Sequence, residues 1–535
     1  MKPVAPENFH VFDTTLRDGA QQEGLRLTVS DKLRIAQLLD QLGVTFIEGG
    51  WPGANPSDTA FFAEAARSLR LRTATLVAFG MTARVGMTAA TDPLVQALVD
   101  AQTPVVCIVA KAHDRHVTEA LRTTLETNLE MVRDTVSFLR GHGKRVIVDA
   151  EHFFDGYRAN PSYALDVVRA AAEAGAEVVV LCDTNGGMLP SWMGDVVSAA
   201  AAIGVDLGIH CHNDTGCAVA NTIAAVEAGA MHIQGTVNGY GERTGNADLV
   251  PLIANLQLKF GWQLVSPESL RELTRTSHAI AEIANQAPLA RQPYAGASAF
   301  AHKAGLHASA MKVDPMLYQH TEPAQVGNGM RMLISDMAGR ANIQIKGEQL
   351  GHNLSDRGLA ARVTDTIKVR EANGYSYEAA DASFDLVLRD ELGQGQHPFR
   401  VETWRVVTDQ SDVSEAVVRV STGEDAPRLY AGDGNGPVNA LDQALRNALV
   451  PAFPAVADYE LVDYRVRILD QGHGTDAKVR VLIDTRFDGD SWTTVGVGAN
   501  VVEASYEALV DAFRYGISVR GAGAEAAAVA GQAAG

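Results

Sequence analysis

The chain has 535 residues, of which 46% are hydrophobic and 20% charged, and 64 acidic against 45 basic side chains give a formal net charge of -19. This length exceeds one ordinary domain and fits a barrel of about 250 residues with further modules. Because no basic run or stripe interrupts the acidity, a nucleic-acid partner is excluded, and an anionic substrate would have to be held by local cations.

Targeting signals and cysteine usage point to one compartment. The chain has no stretch of about 20 uncharged apolar residues, and its N-terminus (MKPVAPENF) lacks the apolar core of a signal peptide. Cys107, Cys182 and Cys211 lie in apolar, strand-like runs without CxxC pairing, and Cys217 is the fourth cysteine. We therefore expect reduced thiols in a soluble cytoplasmic protein.

The first 260 or so residues alternate short, continuously apolar runs with longer helical patterns. Such runs are typical of parallel strands covered on both faces. The predicted strands are His10–Thr14, Val44–Gly49, Thr73–Phe79, Val105–Val109, Arg145–Ala150, Val178–Cys182, Leu207–Cys211 and His232–Val237. Helices are predicted between them, for example over Ser30–Leu42, His116–Leu139, Pro161–Ala174 and Asp214–Ala228. Eight βα units favour a closed (β/α)8 TIM barrel, with an open doubly wound sheet as the alternative.

The pattern changes after Trp262. Helices are predicted over Ser266–Asn285, Ala301–Met311 and Asp356–Asn373, and strands return from about Phe384. These later strands are Arg400–Thr408, Ser414–Ser421, Glu460–Leu469, Ala477–Thr485 and Trp492–Gly498, with helices at Gly436–Leu449 and Asn500–Tyr515. We predict a catalytic barrel at 1–265, a mostly helical linker at 266–383, an α+β regulatory domain at 384–520 and a disordered tail at 521–535.

The first chemical motif is DTTLRDG, which directly follows the first strand. In a barrel this is the catalytic rim, where strand ends and βα loops meet. Arg17 and Asp18 would there place a carboxylate ligand beside a fixed cation. The alternative is a surface ion pair followed by a glycine turn.

The second motif is GIHCHND, at the end of the seventh strand. Because strand side chains alternate, His210 and His212 point to one side and Cys211 to the other. Two neutral imidazoles in this arrangement can chelate a transition metal, although two core histidines are the alternative. Together with Asp18 they predict a site for Mn²⁺, Zn²⁺ or Mg²⁺ with coordination positions open to substrate.

The third motif is NGYGERTGNADL, after the eighth strand, where Asn246 could add an oxygen ligand or simply cap the following helix. Further polar residues end other strands and share the predicted rim: Glu48, Glu151, Asp183, Thr184 and Asn185. A carboxylate such as Glu151 could act as a general base or hold a water, and any of them could instead cap a helix.

Taken together, these segments resemble the DRE-TIM metallolyase superfamily, in particular its branch of 2-isopropylmalate, homocitrate and citramalate synthases. The similarity covers about residues 8–518 and rests on DTTLRDGAQQEG, HCHND, YGERTGNADL, FAHKAGLHASA, DMAGRANI and GDGNGPVNALDQAL, in that order. It implies a Claisen condensation of acetyl-CoA with a 2-oxo acid. The segments IEGGWPGANPSD and AEHFFDGY are most similar to the citramalate-forming group, in which the acceptor is pyruvate, with homocitrate and isopropylmalate synthesis as near alternatives.

The resemblance implies a role for each site residue. Asp18, His210, His212 and Asn246 would hold the metal. Arg17 would stabilise the developing oxyanion, and Thr184 and Gln21 would join it in binding substrate. His307, assisted by Glu151 and with Tyr318 nearby, would be the base, and His302 is the competing histidine.

The resemblance also implies a homodimer, in which the linker could serve the partner's barrel, and feedback by an amino acid, with isoleucine the natural candidate. Two functions of other classes remain open at this stage. A metal-dependent lyase fits the barrel motifs alone, and a non-catalytic amino-acid sensor fits the C-terminal region alone.

Overall fold

The structure, a computed structural model, describes residues 8–334, 340–354, 356–410, 413–423, 426–469 and 477–521. It divides into two compact units, Met1–Phe300 with Thr321–Gly329 and Ala301–His320 with Met330–Gly535. All but the first residue of the predicted tail, and the beginning of the DMAGRANI segment, lie outside the described residues.

The first unit contains a closed barrel of eight parallel strands in sequence order. The strands are β1 (His10–Asp13), β2 (Phe46–Glu48), β3 (Thr75–Met81), β4 (Val105–Lys111), β5 (Arg145–Glu151), β6 (Val178–Asp183), β7 (Asp206–Cys211) and β8 (His232–Gly235). Pairing of β1 with β8, in which His10 lies opposite His232, closes the barrel. The predicted TIM barrel is confirmed, and the open-sheet alternative is wrong.

Helices surround the barrel because each strand is apolar on both faces and needs cover on the outside. They are α1 (Val29–Leu42), α2 (Pro56–Ser68), α3 (Pro93–Asp100), α4 (Leu125–Gly141), α5 (Phe153–Ala159), α6 (Pro161–Glu173), α7 (Pro190–Ala201), α8 (Ala218–Glu227), α9 (Leu249–Leu258), α10 (Pro267–Arg271) and α11 (Leu273–Ile283). Their starts follow local chemistry. Asn55 and Asn160, for example, each cap a helix whose first residue is proline.

Two predicted helices of this unit are interrupted. The segment predicted as His116–Leu139 contains a short π-helical turn, His116–Leu121, after which Arg122 adopts a left-handed conformation. Thr124 then caps α4 by accepting a hydrogen bond from the backbone of Thr127. The side-chain cap therefore overrides the continuous helical pattern. The segment predicted as Ser266–Asn285 is likewise two helices, α10 and α11.

The second unit begins with short elements and helices. They are β9 (Ala301–His302), α12 (Gly305–Met311), β10 (Arg331–Met332), α13 (Arg340–Gln349), α14 (Arg357–Ala372) and α15 (Asp381–Glu391). The prediction of helix from Ala301 is wrong for its first residues, because β9 pairs with β10. The expected return of strands at Phe384 is also wrong, because Phe384 lies inside α15. Its run FDLVL reads as a strand, but Phe384 and Leu388 pack with Tyr377 in a helical core.

The C-terminal part of this unit repeats one arrangement. The strands β11 (Phe399–Val407), β12 (Ser414–Thr422) and β13 (Arg428–Gly434) form an antiparallel sheet followed by α16 (Pro437–Leu449). A second sheet of β14 (Glu460–Ile468), β15 (Val479–Phe487) and β16 (Asp490–Gly498) is followed by α17 (Val501–Tyr515). The predicted α+β region is confirmed, except that β13 was missed because its residues are mostly exposed. Among the described helices, none is long and apolar enough to cross a membrane.

Candidate active site

A cavity of about 790 Å³ contains most of the side chains that the sequence predicts for the rim of the barrel. Its lining includes Arg17, Asp18, Gln21, Glu151, Thr184, His210 and His212, brought together from the ends of β1, β5, β6 and β7. An anionic substrate needs local cations in a protein of net negative charge. The cavity provides five: Arg17, Arg26, Lys32, Lys111 and Arg243. All lining residues belong to the first unit.

Asp18, His210 and His212 form a compact set of possible metal ligands. The Asp18 Oδ2 atom lies 3.2 Å from His210 Nε2 and 3.7 Å from His212 Nε2. The two Nε2 atoms are 3.3 Å apart, and all three residues are buried. This arrangement could hold a metal ion, which favours the predicted metal site over two ordinary core histidines.

The tautomer of His210 suits ligation. Its Nδ1 lies 2.8 Å from the side-chain oxygen of Gln234, whose amide nitrogen donates to Asp149 at 3.0 Å. Because the amide oxygen can only accept, Nδ1 carries the proton, and Nε2, which faces Asp18 at 3.2 Å, is the nitrogen that would bind a metal. A histidine held by its other ring nitrogen is the usual support of a metal ligand.

The protonation states of Asp18 and His212 also suit a metal. Burial raises the pKa of Asp18, but the charge of Arg17 and the hydrogen bond of His210 outweigh it and hold the pKa below its usual range. Burial, and then the charge of His210, lower the pKa of His212 to about 4, which leaves its ring neutral. Burial lowers the pKa of His210, but the hydrogen bond and charge of Asp18 give a net rise.

Asn246 lies beside these residues, joined to His212 by an antiparallel β-bridge. Its amide nitrogen donates to the carbonyl of Tyr240 at 3.0 Å, whereas its buried Oδ1 has no hydrogen-bond partner among the described residues. A buried, unpaired oxygen is costly unless something binds it, and so the donor set fits a hard or borderline cation. The alternative of Asn246 as a helix cap is wrong, because Asp248 caps α9.

Arg17 is held on the floor of the cavity and is not part of a surface ion pair, so that alternative is wrong. Its Nε donates to Glu48 Oε2 at 2.6 Å, and the same oxygen accepts from the hydroxyl of Thr14. Glu48 is fully buried and the Arg17 side chain is 13% exposed. The predicted rim residue Glu48 therefore orients the guanidinium.

Glu48, Cys107 and Asp149 form a second group with ligand-like spacing, in the interior of the barrel. Burial raises the pKa of the Cys107 thiol well above its usual value, so that it stays protonated. Glu48 is engaged by Arg17, and Asp149 by Gln234. This group therefore supports the first site and is a poor metal site of its own.

Glu151 and Thr184 line the cavity as predicted, in surroundings that the sequence did not reveal. Glu151 forms a close ion pair with Lys111, from the end of β4. The hydroxyl oxygen of Thr184 accepts from the backbone of His152 at 2.9 Å, which leaves its proton free to donate. Arg243 also holds this loop, by donating to the Thr184 carbonyl.

Asp183 and Asn185, the other rim candidates, shape the loop after β6. The carboxylate of Asp183 accepts from the backbone of Gly187 and of Met188, and Asn185 donates to Asp155. Asp183 therefore holds the loop after β6, and Asn185 joins that loop to α5.

The predicted base residues belong to the second unit. The rings of His307 and Tyr318 stack with centroids 4.1 Å apart, and His302 lies 6.2 Å from His307. The Nε2 atom of His302 is buried without a hydrogen-bond partner among the described residues. Burial, and then the charge of His307, lower the pKa of His302.

Sequence reasoning missed Lys111, Gln234, Asp149 and Arg243. A polar residue inside an otherwise apolar strand was an available signal for Gln234 in HIQG and for Asp149 in IVDAE. For the Lys111–Glu151 pair and for the loop contacts of Arg243 the sequence carries no such signal, because their partners lie in other strands and loops.

Family models match almost the whole chain. The HMGL-like model matches residues 8–280, the homocitrate synthase post-HMGL domain-like model residues 295–374, and the LeuA allosteric (dimerisation) domain model residues 378–517. The candidate metal ligands therefore lie where the HMGL-like model matches, and His307 and Tyr318 lie where the second model matches.

Curated relatives match over their full length. An (R)-citramalate synthase of Streptomyces coelicolor is 59% identical over 96% of this chain and 97% of its own. An (R)-citramalate synthase of Synechocystis is 48% identical over 95% of this chain and 96% of its own. A 2-isopropylmalate synthase of Pyrococcus furiosus is 30% identical over 94% and 98%.

Proposed function

The chain belongs to the family of (R)-citramalate and 2-isopropylmalate synthases, and we propose that it condenses acetyl-CoA with pyruvate and water to give (R)-citramalate and CoA. One observation carries the choice of acceptor. Five (R)-citramalate synthases are 42–59% identical over nearly the whole chain, whereas two 2-isopropylmalate synthases are 30–32% identical. The enzyme is thus an acyltransferase, and its match to the linker and C-terminal family models disfavours a simple lyase.

Asp18, His210 and His212 would hold the divalent metal, Mn²⁺, Zn²⁺ or Mg²⁺, with Asn246 as a further oxygen ligand. When bound, such a metal polarises the keto group of the acceptor as a Lewis acid. Gln234 keeps the ring of His210 in the ligating tautomer, and the depressed pKa of His212 keeps its ring neutral.

Arg17 stabilises the negative charge that develops on the keto oxygen as the new carbon–carbon bond forms. Glu48 accepts from Nε, Nη1 lies 3.6 Å from Asp18 Oδ2, and the guanidinium lines the cavity in which the substrate would bind. Thr184 is free to donate its hydroxyl proton to the acceptor's carboxylate, and Gln21 lines the same cavity.

His307 removes a proton from the methyl group of acetyl-CoA, with Glu151 and Tyr318 as its assisting groups. The methyl carbon then attacks the keto carbon, whose oxygen gains a proton and becomes the tertiary hydroxyl. Water cleaves the thioester, releasing the CoA thiol and a carboxylate. Stacking on Tyr318 supports His307 over His302 as the base, because it fixes the plane of the ring.

The match to the allosteric (dimerisation) domain supports a homodimer that is inhibited by an amino acid. Isoleucine is the effector that suits a citramalate-forming enzyme in isoleucine biosynthesis. A cytoplasmic location suits this role and the free thiols of the four cysteines.

The acceptor is tested by measuring free thiol released from acetyl-CoA with pyruvate, 2-oxoisovalerate and 2-oxoglutarate in turn, each with Mn²⁺, Zn²⁺ or Mg²⁺. Pyruvate is expected to give a kcat/KM at least tenfold above the others. A preference for 2-oxoisovalerate would identify a 2-isopropylmalate synthase, and one for 2-oxoglutarate a homocitrate synthase. Cleavage of citramalate without thiol release would identify a lyase.

A further inference from the structure

The segment at residues 49–58, which leads from β2 into the first turn of α2, is anchored by a buried ion pair. Lys32 donates to Asp58 Oδ1 at 2.6 Å and to the carbonyl of Gly49 at 2.9 Å. The other carboxylate oxygen of Asp58 accepts from the backbone of Trp51 at 2.9 Å. Both Lys32 and Asp58 are buried, so their pairing fixes the backbone of Trp51 firmly.

Trp51 places its indole against Phe79, a residue of β3. The two ring centroids are 5.6 Å apart and the planes are nearly perpendicular, at 85°. Phe79 is 6% exposed and belongs to the core cluster inside the barrel. Edge-to-face contacts of this kind hold both rings in a defined orientation.

Arg17 lies over the face of the same phenylalanine. Its Cζ atom is 3.8 Å from the ring centroid, well within the distance at which a guanidinium is attracted by the ring face. Both side chains are largely buried, which strengthens the attraction relative to an exposed pair. Phe79 therefore contacts Trp51 edge-to-face and Arg17 through its ring face, and all three side chains line the cavity.

Three contacts then define the orientation of the guanidinium. The hydrogen bond from Nε to Glu48 fixes one edge in the plane of the group, and Nη1 lies 3.6 Å from Asp18 Oδ2 in a longer ion pair. The face of Phe79 sets the tilt of the plane. Without the ring, the donors that face the substrate would spread over several orientations.

We propose that Phe79, held in place by Trp51, is a positioning residue that fixes the guanidinium plane of Arg17 for oxyanion stabilisation. This rests on the proposed function, in which Arg17 acts on the transition state. The negative charge on the face of the Phe79 ring, and not the volume of the ring, would set the orientation of Arg17. A residue that acts only by core packing would depend on volume alone.

The test replaces Phe79 by mono-, di- and trifluorinated phenylalanine, because fluorine withdraws charge from the ring face with little change in volume. We expect kcat to fall stepwise, by roughly twofold to thirtyfold over the series. The KM for acetyl-CoA and the metal content should stay unchanged, and the urea midpoint of unfolding should fall only slightly, because the attraction between the ring and Arg17 is weakened. Phe79→Leu, which removes the ring face, should lose at least as much of the rate.

The matched control is the same series at Phe12, a fully buried member of the same core cluster with no cation over its ring among the described residues. A flat response is expected there. A flat response of kcat at Phe79, or an equal fall of kcat in the Phe12 series, would overturn the proposal. If the wild-type enzyme releases no thiol with any 2-oxo acid, the proposed function is wrong. The results of the fluorine series do not bear on that outcome.

Discussion

At the scale of single residues, the end of the barrel opposite the cavity contains an unusual histidine. His232 is fully buried, and neither of its ring nitrogens has a hydrogen-bond partner among the described residues. Its neighbours are Phe12 at 5.1 Å, His10 at 5.6 Å and Phe46 at 6.1 Å between ring centroids. Burial, and then the charge of His10, lower the pKa of His232 well below its ordinary value. The ring is therefore kept neutral at a cost in stability.

This predicts that His232→Met raises the free energy of unfolding by about 1–2 kcal/mol, because it removes two unpaired polar atoms at similar volume. In the wild type the unfolded chain binds a proton below a pH of about 6.5 that the folded chain does not, so stability falls as the pH falls. The variant should lose less stability between pH 8 and pH 5.5. Urea unfolding at both pH values measures this.

The exposed His142 offers the control, since His142→Met should leave the unfolding free energy and its pH dependence within about 0.5 kcal/mol of the wild type. A His232→Met variant that is less stable, with an unchanged slope against pH, would show that the imidazole is satisfied in solution.

At the scale of elements, the loop between β8 and α9 depends on its glycines to present Asn246. Gly245 has a φ of +87°, and a Cβ atom there would lie 1.9 Å from the carbonyl oxygen of Gly239. That oxygen also accepts the backbone hydrogen bond of Asn246. No side chain can be placed at Gly245 without moving the backbone that carries Asn246.

We therefore expect Gly245→Ala to lower metal affinity by about tenfold to a hundredfold, the range typical for disturbed support of a metal ligand. Equilibrium dialysis against Mn²⁺ and Zn²⁺ measures the loss, and circular dichroism should show an intact barrel. Gly229→Ala is the matched control, because Gly229 also has a positive φ but open space around it. Equal affinities in the two variants would argue against Asn246 as a ligand.

At the scale of the whole molecule, the repeated sheet-and-helix arrangement of the second unit matches a model of an allosteric (dimerisation) domain. The proposed effector gives a direct prediction for the full chain. Isothermal titration should give saturable heat with isoleucine and at least tenfold weaker binding of leucine. Isoleucine should also reduce thiol release at subsaturating acetyl-CoA.

The reverse preference would indicate an effector suited to isopropylmalate synthesis. If neither amino acid gives heat with enzyme that is active and dimeric by light scattering, the regulatory proposal is wrong. The proposal of a homodimer would still stand.

The sequence predicted the barrel well because parallel strands covered on both faces are continuously apolar, as in VVVLCD of β6. It also identified Asp18, His210 and His212 as one group, since the carboxyl ends of all eight strands meet at one rim. It failed for α15 and β13. The apolar run of α15, FDLVL, is shorter than the helix that contains it and resembles a strand. The strand β13 is mostly exposed and has no alternation of apolar and polar residues that would predict it.

The order of the barrel strands and the identity of the candidate metal ligands were thus determined by the sequence itself, because periodicity and strand-end chemistry are local. Tertiary structure decided what surrounds those residues. Gln234 supports His210 from a neighbouring strand, Lys111 pairs with Glu151 across two strands, and Phe79 lies beneath Arg17. These contacts join residues that are distant in the chain. The register between neighbouring strands places Gln234 opposite His210 and Lys111 opposite Glu151, and the arrangement of strands in the barrel brings Phe79 to Arg17.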